Sequence, residues 1–316
     1  MNIVCCTDHN YIMPTGVMIC STCVNHQDCT ITFHVVCNDD VTEEDKQDLK
    51  DIVHKYHHKI EYYAIDIEFP ECFMVGKEGQ PIHITIASYY RLFLAELLPN
   101  NIDKVIYLDG DIIVRHSLLE IYNTNLENKA VAVVTDMDEG SIKKYNYLRY
   151  KQSLGYFNAG VLLINLKYWR EYNLLNEFID FATKYPECIK FHDQDVLNFV
   201  LKENKIKLPL KYNVQDGFFR KIQNISWEYE DDLKEAINNP VIVHFTCGNN
   251  KPWNKGCNVP YKEEFFKYRN LTKWKNEPLK RTTYSNKTRI KQHIKKVLIL
   301  LGVMRKPESK YISINK

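Results

Sequence analysis

Short apolar runs that alternate with helical patterns constrain the fold of this chain more than any other feature. Seven runs have the length and composition of buried strands: NIVCCT (2–7), ITFHVVCN (31–38), KIEYYAI (59–65), KVIYL (104–108), AVAVV (130–134), GVLLINL (160–166) and PVIVHF (240–245). Helical patterns separate the first three, and the second of them opens on Thr42, a capping residue followed by acids. This alternation predicts an α/β fold with a mixed, mostly parallel sheet and helices on its faces.

The composition is that of a globular protein with a substantial core. The chain has 316 residues, of which 45% are hydrophobic and 12% aromatic, enough for one large α/β domain or two domains. Ten cysteines without a secretory pattern indicate reduced thiols rather than a disulfide framework. The N-terminal MNIVCCTDHN lacks the basic region of a signal peptide, so we expect it to form a first strand.

Charge is distributed unevenly along the chain. Residues 267–316 hold 15 Lys and Arg against 2 acids, whereas the rest holds 27 against 38. A basic tail on an acidic body indicates an anionic partner, either phospholipid or nucleic acid. The apolar run VLILLGVM (297–304) falls far short of the roughly 20 residues that span a bilayer. The tail could therefore lie on a membrane without crossing it.

The tail pattern predicts an amphipathic cationic helix. Apolar residues recur at helical spacing with lysines between them: Ile290, Ile294, Val297, Leu298 and Leu301, and Lys291, Lys295 and Lys296. Such a helix could dock on the acidic body or bind anionic lipid, and we favour lipid. RNA-binding motifs are missing beside the tail, so no nucleic-acid partner is expected. We expect a catalytic domain over 1–260, a membrane-surface anchor over 261–316, and a cytoplasmic protein at the inner face of the plasma membrane.

Polar residues follow several predicted strands, at the sheet edge where ligands bind in such folds. Asp109 and Asp111 follow KVIYL, and His244 closes VIVH. An Asp-Gly-Asp sequence is also ordinary turn chemistry. Together with an imidazole, however, two carboxylates form a ligand set suited to Mn²⁺ or Mg²⁺. Beyond them, GNNKPW supplies a flexible Gly248 and a cationic Lys251 suited to a diphosphate.

A series of motifs in this order resembles the retaining glycosyltransferases of family 8. The motifs are IVCCTDHNY (3–11), ASYYRLFLAELLP (87–99), KVIYLDGDIIVRHSL (104–118), YFNAGVLLINLKYWRE (156–171), HDQDVLN (192–198) and HFTCGNNKPW (244–253). The resemblance covers about residues 1–260 and implies a GT-A type, Rossmann-like nucleotide-diphospho-sugar transferase fold. The bacterial lipopolysaccharide galactosyltransferases and glucosyltransferases are the closest in look.

The resemblance implies transfer of galactose or glucose from a UDP-sugar, with retention, to a glycan or lipid-linked oligosaccharide. It implies that Asp109, Asp111 and His244 bind Mn²⁺, which neutralises charge on the departing UDP. It also implies three groups of donor-binding residues. The nucleotide is bound by Asp8, Asn10 and Tyr11, and the diphosphate by Gly248 and Lys251. The sugar is bound by Arg91, Asp136, Asn158, Asp193 and Gln194. The alternative is a catalytically inactive nucleotide-sugar-binding protein of the same fold.

The catalytic group implied by the resemblance is Asp193, Gln194 and Asp195. Double displacement would need a nucleophile, and the amide of Gln194 is a poor one. We therefore favour a same-face path in which Gln194 stabilises an oxocarbenium-like centre and Asp195 is the reserve nucleophile. The chain departs from the usual family pattern at Gly110, which should give the turn more freedom, and at Cys6, beside the expected uridine.

Three further patterns leave alternatives open. Cys20, Cys23, His26 and Cys29 could be a zinc cluster or a redox pair, but small residues facing the sheet are the simpler interpretation. Residues 68–84 could form a flap over the acceptor or only a connector. Aromatic residues across 212–229 suit acceptor stacking or core packing equally: Tyr212, Phe218, Phe219, Trp227 and Tyr229.

Overall fold

Ten strands form two sheets in the computed structural model, which describes residues 1–65, 70–74, 86–248, 250–281, 294, 297–299 and 309–312. The strands of this described part are β1 (Asn2–Thr7), β2 (Thr32–Cys37), β3 (Lys59–Ala64), β4 (Lys104–Leu108), β5 (Ile112–Val114), β6 (Val131–Thr135), β7 (Phe157–Asn165), β8 (Lys205–Lys207), β9 (Val214–Gln215) and β10 (Ile242–His244). The seven predicted strands are confirmed, and β5, β8 and β9 are additional.

Helices cover the sheets. Within the described residues they are α1 (Ile12–Val24), α2 (Glu43–Lys55), α3 (Glu71–Met74), α4 (Leu94–Leu97), α5 (Leu119–Tyr122), α6 (Ile142–Leu148), α7 (Leu166–Glu171), α8 (Leu174–Lys184), α9 (His192–Leu201), α10 (Glu230–Asn238) and α11 (Lys262–Arg269). Short 3₁₀ helices occupy His9–Tyr11, Ile86–Phe93, Gln152–Leu154, Pro186–Cys188, Leu210–Tyr212, Asp216–Phe219, Trp227–Tyr229 and Lys273–Asn276. No helix in these ranges is long and apolar enough to cross a membrane.

The sheet order brings the two halves of the chain together at one edge. In the larger sheet the order is β3-β2-β1-β4-β7-β6-β8, in which β3, β2, β1 and β4 run parallel and β7 runs antiparallel to both of its neighbours. The carboxyl end of β4 therefore lies beside the first half of β7, where the N–H of Asp109 donates to the carbonyl of Gly160 at 2.9 Å. This arrangement confirms the predicted mixed, mostly parallel α/β fold.

A smaller sheet supplies the remaining wall of the same edge. Strand β10 pairs antiparallel with β5 and parallel with β9, in the order β5-β10-β9. His244 is opposite Ile112 in the first pair and opposite Gln215 in the second. Because Ile112 directly follows Asp111, this register carries the imidazole to the aspartates.

Local sequence explains why the covering helices begin and pack where they do. The predicted cap of α2 is confirmed as a capping box, in which the Thr42 side chain accepts from the N–H of Asp45 and the Asp45 carboxylate accepts from the N–H of Thr42. Helix α1 is buried along nearly its whole length, with β5 and α11 against it. Its Gly16 has no room for a side chain, because a Cβ there would come within 2.5 Å of Cη2 of Trp274.

Part of the predicted extension packs against the body. Trp274 is buried, and residues 309–312 lie along the loop after β9, where the N–H of Lys221 donates to the carbonyl of Lys310 and the N–H of Ile312 donates to that of Phe219, both at 2.9 Å. The Tyr311 side chain is only 4% exposed there. Most of the predicted amphipathic helix, and most of the possible flap at 68–84, lie outside the described residues.

Candidate functional site

Two carboxylates and one imidazole converge at the edge where the sheets meet. Asp109 follows β4, Asp111 precedes β5 and His244 ends β10. The Nε2 atom of His244 lies 3.1 Å from Oδ1 of Asp111 and 3.6 Å from Oδ2 of Asp109. In the part of the chain that the structure describes, this is the one cluster of three such side chains that could hold a metal ion, with ligand atoms within 4.8 Å of one another.

Two glycines make this convergence possible. A Cβ at Gly160 would lie 2.7 Å from Oδ2 of Asp109 and 2.8 Å from Nδ1 of His244. A Cβ at Gly110 would lie 2.5 Å from Oγ1 of Thr15 on α1. The backbone of Gly110 does not adopt a positive φ. Close approach of α1, rather than backbone freedom, is therefore what this glycine provides.

Each aspartate of the cluster is paired with a buried cation. Arg91 contacts Asp109 at 2.9 Å through Nη2 and Asp193 at 3.0 Å through Nε. Lys251 contacts Asp111 and donates to the carbonyl of Phe245 at 2.5 Å. These pairs offset much of the cost of burying carboxylates near the core.

Burial and charge shift two carboxyl pKa values in opposite directions. Burial alone would raise the pKa of Asp111, but the charges of Lys251 and then His244 outweigh it and hold that pKa well below its usual range. For Asp193 burial prevails over the opposing charge of Arg91 and raises the pKa to about 6. The carboxyl group of Asp111 therefore ionises at a lower pH than that of Asp193.

Predicted sugar-binding residues form a hydrogen-bonded group beside the cluster. The amide of Gln194 donates to Oδ2 of Asp136 at 3.3 Å, and that of Asn158 donates to Oε1 of Gln194 at 3.1 Å. Oε1 of Gln194 also accepts from the N–H of Ala159 at 3.0 Å. Lys144, which the sequence analysis did not single out, is buried against Asp136 in an ion pair.

Asp195 is fully buried and has all its acceptor capacity engaged. Burial raises its pKa, and hydrogen bonds to the ionised form partly offset this. Its carboxylate accepts from four donors: the hydroxyls of Tyr147 at 3.1 Å and Tyr156 at 2.7 Å, and the N–H groups of Lys190 and Phe191 at 2.7 Å each. This carboxylate ties the start of α9 to α6 and β7.

The predicted nucleotide-binding residues lie at the end of β1, next to the cluster. The carboxylate of Asp8 accepts from the N–H of Tyr11 at 3.0 Å and caps the turn that carries Asn10. The Tyr11 ring meets Trp253 edge to face, with 5.8 Å between ring centroids. Gly248 is exposed and has nothing within 4 Å of its Cβ position. Of the two predicted residues on the 246–253 loop, Gly248 is therefore open to solvent and Lys251 is buried.

The other candidate clusters do not assemble. Cys20 and Cys23 are buried on α1, and all ten cysteines are free thiols. His26 is bound structurally, since Nδ1 lies 2.7 Å from the carbonyl of Thr22 and Nε2 accepts from the N–H of Leu118 at 2.7 Å.

Most of the aromatic residues singled out in 212–229 belong to the core. Tyr212, Phe218 and Phe219 are buried, whereas the Trp227 side chain is 87% exposed. Of these, Trp227 is the ring most available to stack on a ligand.

Sequence reasoning missed several residues that shape the site. The hydroxyl of Tyr107 donates to Oδ1 of Asp109 at 2.8 Å, and Oδ1 of Asn213 lies 3.0 Å from Nδ1 of His244. Gly160 lies in the motif YFNAGVLLINLKYWRE (156–171), so the sequence did offer a signal for its importance. Tyr107 lies inside β4 and Asn213 directly before β9, and the local sequence around neither residue indicates a link to the cluster.

Comparison with known proteins identifies the class of site. Residues 2–257 match the model of the family described as "Glycosyl transferase family 8". The chain belongs to this family. It is a glycosyltransferase with a GT-A type fold, and the predicted family membership is confirmed.

Two curated relatives and one solved structure show the extent of the likeness. General stress protein A of Bacillus subtilis (strain 168) is 30% identical over 279 residues, 87% of this chain and 94% of the relative. A lipopolysaccharide 1,2-glucosyltransferase of Escherichia coli is 30% identical over 282 residues, 87% and 79% of the respective chains. The crystal structure of the galactosyltransferase LgtC with donor and acceptor sugar analogues superposes with a TM-score of 0.75 at 27% identity, covering 92% of this chain and all of that one.

Proposed function

We propose that this glycosyltransferase moves galactose or glucose from a UDP-sugar to a glycan or lipid-linked oligosaccharide, with retention of configuration and with Mn²⁺ or Mg²⁺. The observation that carries the proposal is the convergence of Asp109, Asp111 and His244 beside the hydrogen-bonded group of Asp136, Asn158 and Gln194. Relatives named as a glucosyltransferase and a galactosyltransferase support a hexose as the transferred group.

The residues of the cluster fit a hard divalent cation. Two carboxylate oxygens and one imidazole nitrogen are ligands that Mn²⁺ accepts and Mg²⁺ tolerates, with room for phosphate oxygens. When bound, the metal would supply Lewis-acid neutralisation of the charge on the departing UDP. Lys251 contacts the Asp111 oxygen other than the one nearest Nε2 of His244, and we propose that its ammonium also binds the diphosphate.

Donor binding is proposed to divide between two groups of side chains. We propose that Tyr11 stacks on uracil and that Asp8 and Asn10 form hydrogen bonds to the nucleotide. At the other end, Asp136 and Asn158 are proposed to bind the sugar hydroxyls in place of some of the hydrogen bonds that they make with each other and with Gln194. Arg91, Asp193 and Gln194 complete the implied sugar-binding set, in which Arg91 also bridges Asp109 and Asp193 and so ties the sugar end to the metal ligands.

The positions of Gln194 and Asp195 support a same-face reaction. Gln194 is a neutral amide whose carbonyl oxygen already accepts two hydrogen bonds, and the carboxylate of Asp195 accepts four. Neither is arranged as a free nucleophile. In the path we propose, the bond from the sugar to phosphate breaks as the bond to the acceptor hydroxyl forms on the same face. A phosphate oxygen of the leaving UDP takes the proton, while Gln194 and Asp193 stabilise positive charge on the sugar.

We also propose that the basic extension binds an anionic membrane surface and that nucleic acid is not a partner. Deleting the extension would test this poorly, because Tyr311 would leave the body as well. Replacing Lys291, Lys295 and Lys296 by Glu avoids that problem, and the matched Lys→Arg triple variant keeps the charge. We expect the Glu variant alone to lose co-sedimentation with phosphatidylglycerol vesicles. Equal vesicle binding by both variants would contradict the anchor.

The enzymatic proposal is tested by UDP release from a panel of UDP-hexoses with Mn²⁺, with and without EDTA. We expect release from one donor, abolished by EDTA and increased by a suitable acceptor glycan. Mn²⁺-dependent binding of UDP without turnover of any donor, across a panel of acceptors, would instead support the inactive nucleotide-sugar-binding alternative. Turnover that EDTA leaves unchanged would contradict the metal assignment.

A further inference from the structure

We propose that Asn213 is a positioning residue that fixes the ring of His244 for metal binding and joins it to the donor-sugar residues. Asn213 lies in the turn before β9 and is fully buried. Its amide meets His244 on one side at 3.0 Å and Asn158 on the other at 2.9 Å. The inference deepens the proposed function, because it rests on His244 being a metal ligand.

Backbone geometry determines which way the amide of Asn213 points. The N–H of Gly160 can only donate, and it donates to Oδ1 of Asn158 at 3.0 Å. Since that atom is an acceptor, the atom of Asn213 facing it must be the donor Nδ2. The other end of the Asn213 amide, the acceptor Oδ1, then faces His244. One backbone N–H thereby sets the orientation of both amides.

The same chain of donors and acceptors fixes a hydrogen on Nδ1 of His244. An acceptor at 3.0 Å from Nδ1 requires the hydrogen on Nδ1. Nε2 then faces Oδ1 of Asp111 and Oδ2 of Asp109. Those carboxylates accept only, so a cation must lie between them and Nε2: a second proton in the metal-free protein, or a metal ion that takes its place. This is how an outer hydrogen bond to histidine prepares a metal site.

The far side of Asn213 extends the connection to the reacting sugar. Asn158, held by Asn213 and Gly160, donates through Nδ2 to Oε1 of Gln194 at 3.1 Å. The N–H of Ala159 donates to the same oxygen and fixes the Gln194 amide as well. An unbroken path of hydrogen bonds therefore runs from the imidazole to Gln194. The amide at 213 accepts from His244 through its oxygen and donates to Asn158 through its nitrogen at once.

Two substitutions separate the halves of this role. Asn213→Leu removes both hydrogen bonds, and we expect the Nδ1–H tautomer to lose its dominance and Mn²⁺ to bind about 10–100-fold more weakly. Asn213→Asp still accepts from Nδ1–H but cannot donate to Asn158. That variant should keep the tautomer and bind Mn²⁺ more tightly than the Leu variant, while its kcat falls about 10–100-fold.

The decisive measurement is ¹⁵N NMR of the histidines in the metal-free full chain at pH 8, with His244 assigned by mutation. A wild-type His244 that carries a hydrogen on Nδ1, alone or together with one on Nε2, supports the proposal, and one that carries its hydrogen on Nε2 only overturns it. Mn²⁺ affinity, read by electron paramagnetic resonance, should fall in the Leu variant. An unchanged tautomer and unchanged Mn²⁺ affinity in that variant would also overturn the proposal.

Asn25→Ala is the control for a general loss of packing. It removes a half-buried amide that donates at 2.8–3.0 Å to the carbonyls of Ser21 and Val114 and to the hydroxyl of Tyr268, away from the cluster. We expect lower stability with an unchanged His244 tautomer. Neither the tautomer nor Mn²⁺ binding requires turnover. If the wild type released UDP from no donor, the proposed function would fail. The NMR and Mn²⁺-binding measurements would still show whether Asn213 positions His244.

Discussion

Replacing Gly160 by alanine should damage the metal site while leaving the fold in place. The added Cβ would lie 2.7 Å from Oδ2 of Asp109 and 2.8 Å from Nδ1 of His244, and closer still to the ring carbon between the two nitrogens. An ordinary contact needs about 3.5 Å, so the carboxylate must retreat by about 0.8 Å and the imidazole, whose Cε1 atom is nearer than Nδ1, by more than about 0.7 Å. Functional groups need placement within about 0.5 Å. We therefore expect at least a tenfold, roughly 10–100-fold, loss of Mn²⁺ affinity.

The same substitution should cost stability only in the range of ordinary overpacking, about 1–3 kcal/mol. Gly16→Ala is the matched control, because its Cβ would press within 2.5 Å of Cη2 of Trp274 and would not contact Asp109, Asp111 or His244. Urea unfolding gives the stability of both variants, and Mn²⁺ titration by electron paramagnetic resonance gives their affinities. Wild-type Mn²⁺ affinity in Gly160→Ala would refute the steric reasoning, as would equal losses of affinity in both variants.

Three further predictions concern single side chains. Asp111→Asn leaves the buried ammonium of Lys251 without its carboxylate, so the metal-free protein should lose about 3–5 kcal/mol of unfolding free energy; an unchanged urea midpoint would contradict this. Tyr311→Phe removes the hydroxyl that binds Asp216 and accepts from Asn250 at 2.9 Å, and should weaken docking of residues 309–312 by about 1–3 kcal/mol, seen as faster hydrogen exchange there. Burial lowers the pKa of His26, so the unfolded state binds its proton more readily and stability should fall as the pH drops below about 6.5. His26→Gln should reduce that dependence, and an identical pH profile would count against it.

The strands were predictable because burial on both faces leaves continuous apolar runs. Strand β7 is buried at eight of its nine residues, which makes it visible as a strand but hides its direction. A mixed, mostly parallel sheet was predicted, but only pairing in three dimensions shows that β7 is the strand that runs against β4 and β6. The short strands β5, β8 and β9 were missed, since two or three residues are too few to show a period.

The candidate site was predictable to the extent that its residues follow strand ends. Asp109, Asp111 and His244 are brought together as their positions after strands suggest, and their metal-binding role stays a prediction. Lys144 and Asn213 were not predictable, because their importance comes from contacts with residues far away in sequence. Gly110 illustrates the same limit: its purpose, close approach to Thr15, depends on where α1 packs.

The contact between Tyr311 and Asp216 also limits how early the region around Asp216 can finish folding during synthesis. Asp216 is fully buried and paired with Arg220 at 2.7 Å, and the phenol that completes its hydrogen bonding lies 95 residues later in the chain. During synthesis the segment after β9 must therefore wait for residue 311 before it can reach its final packing. At roughly 5–20 residues per second, that interval lasts several seconds. Over this time a carboxylate destined for the interior has only one of its partners.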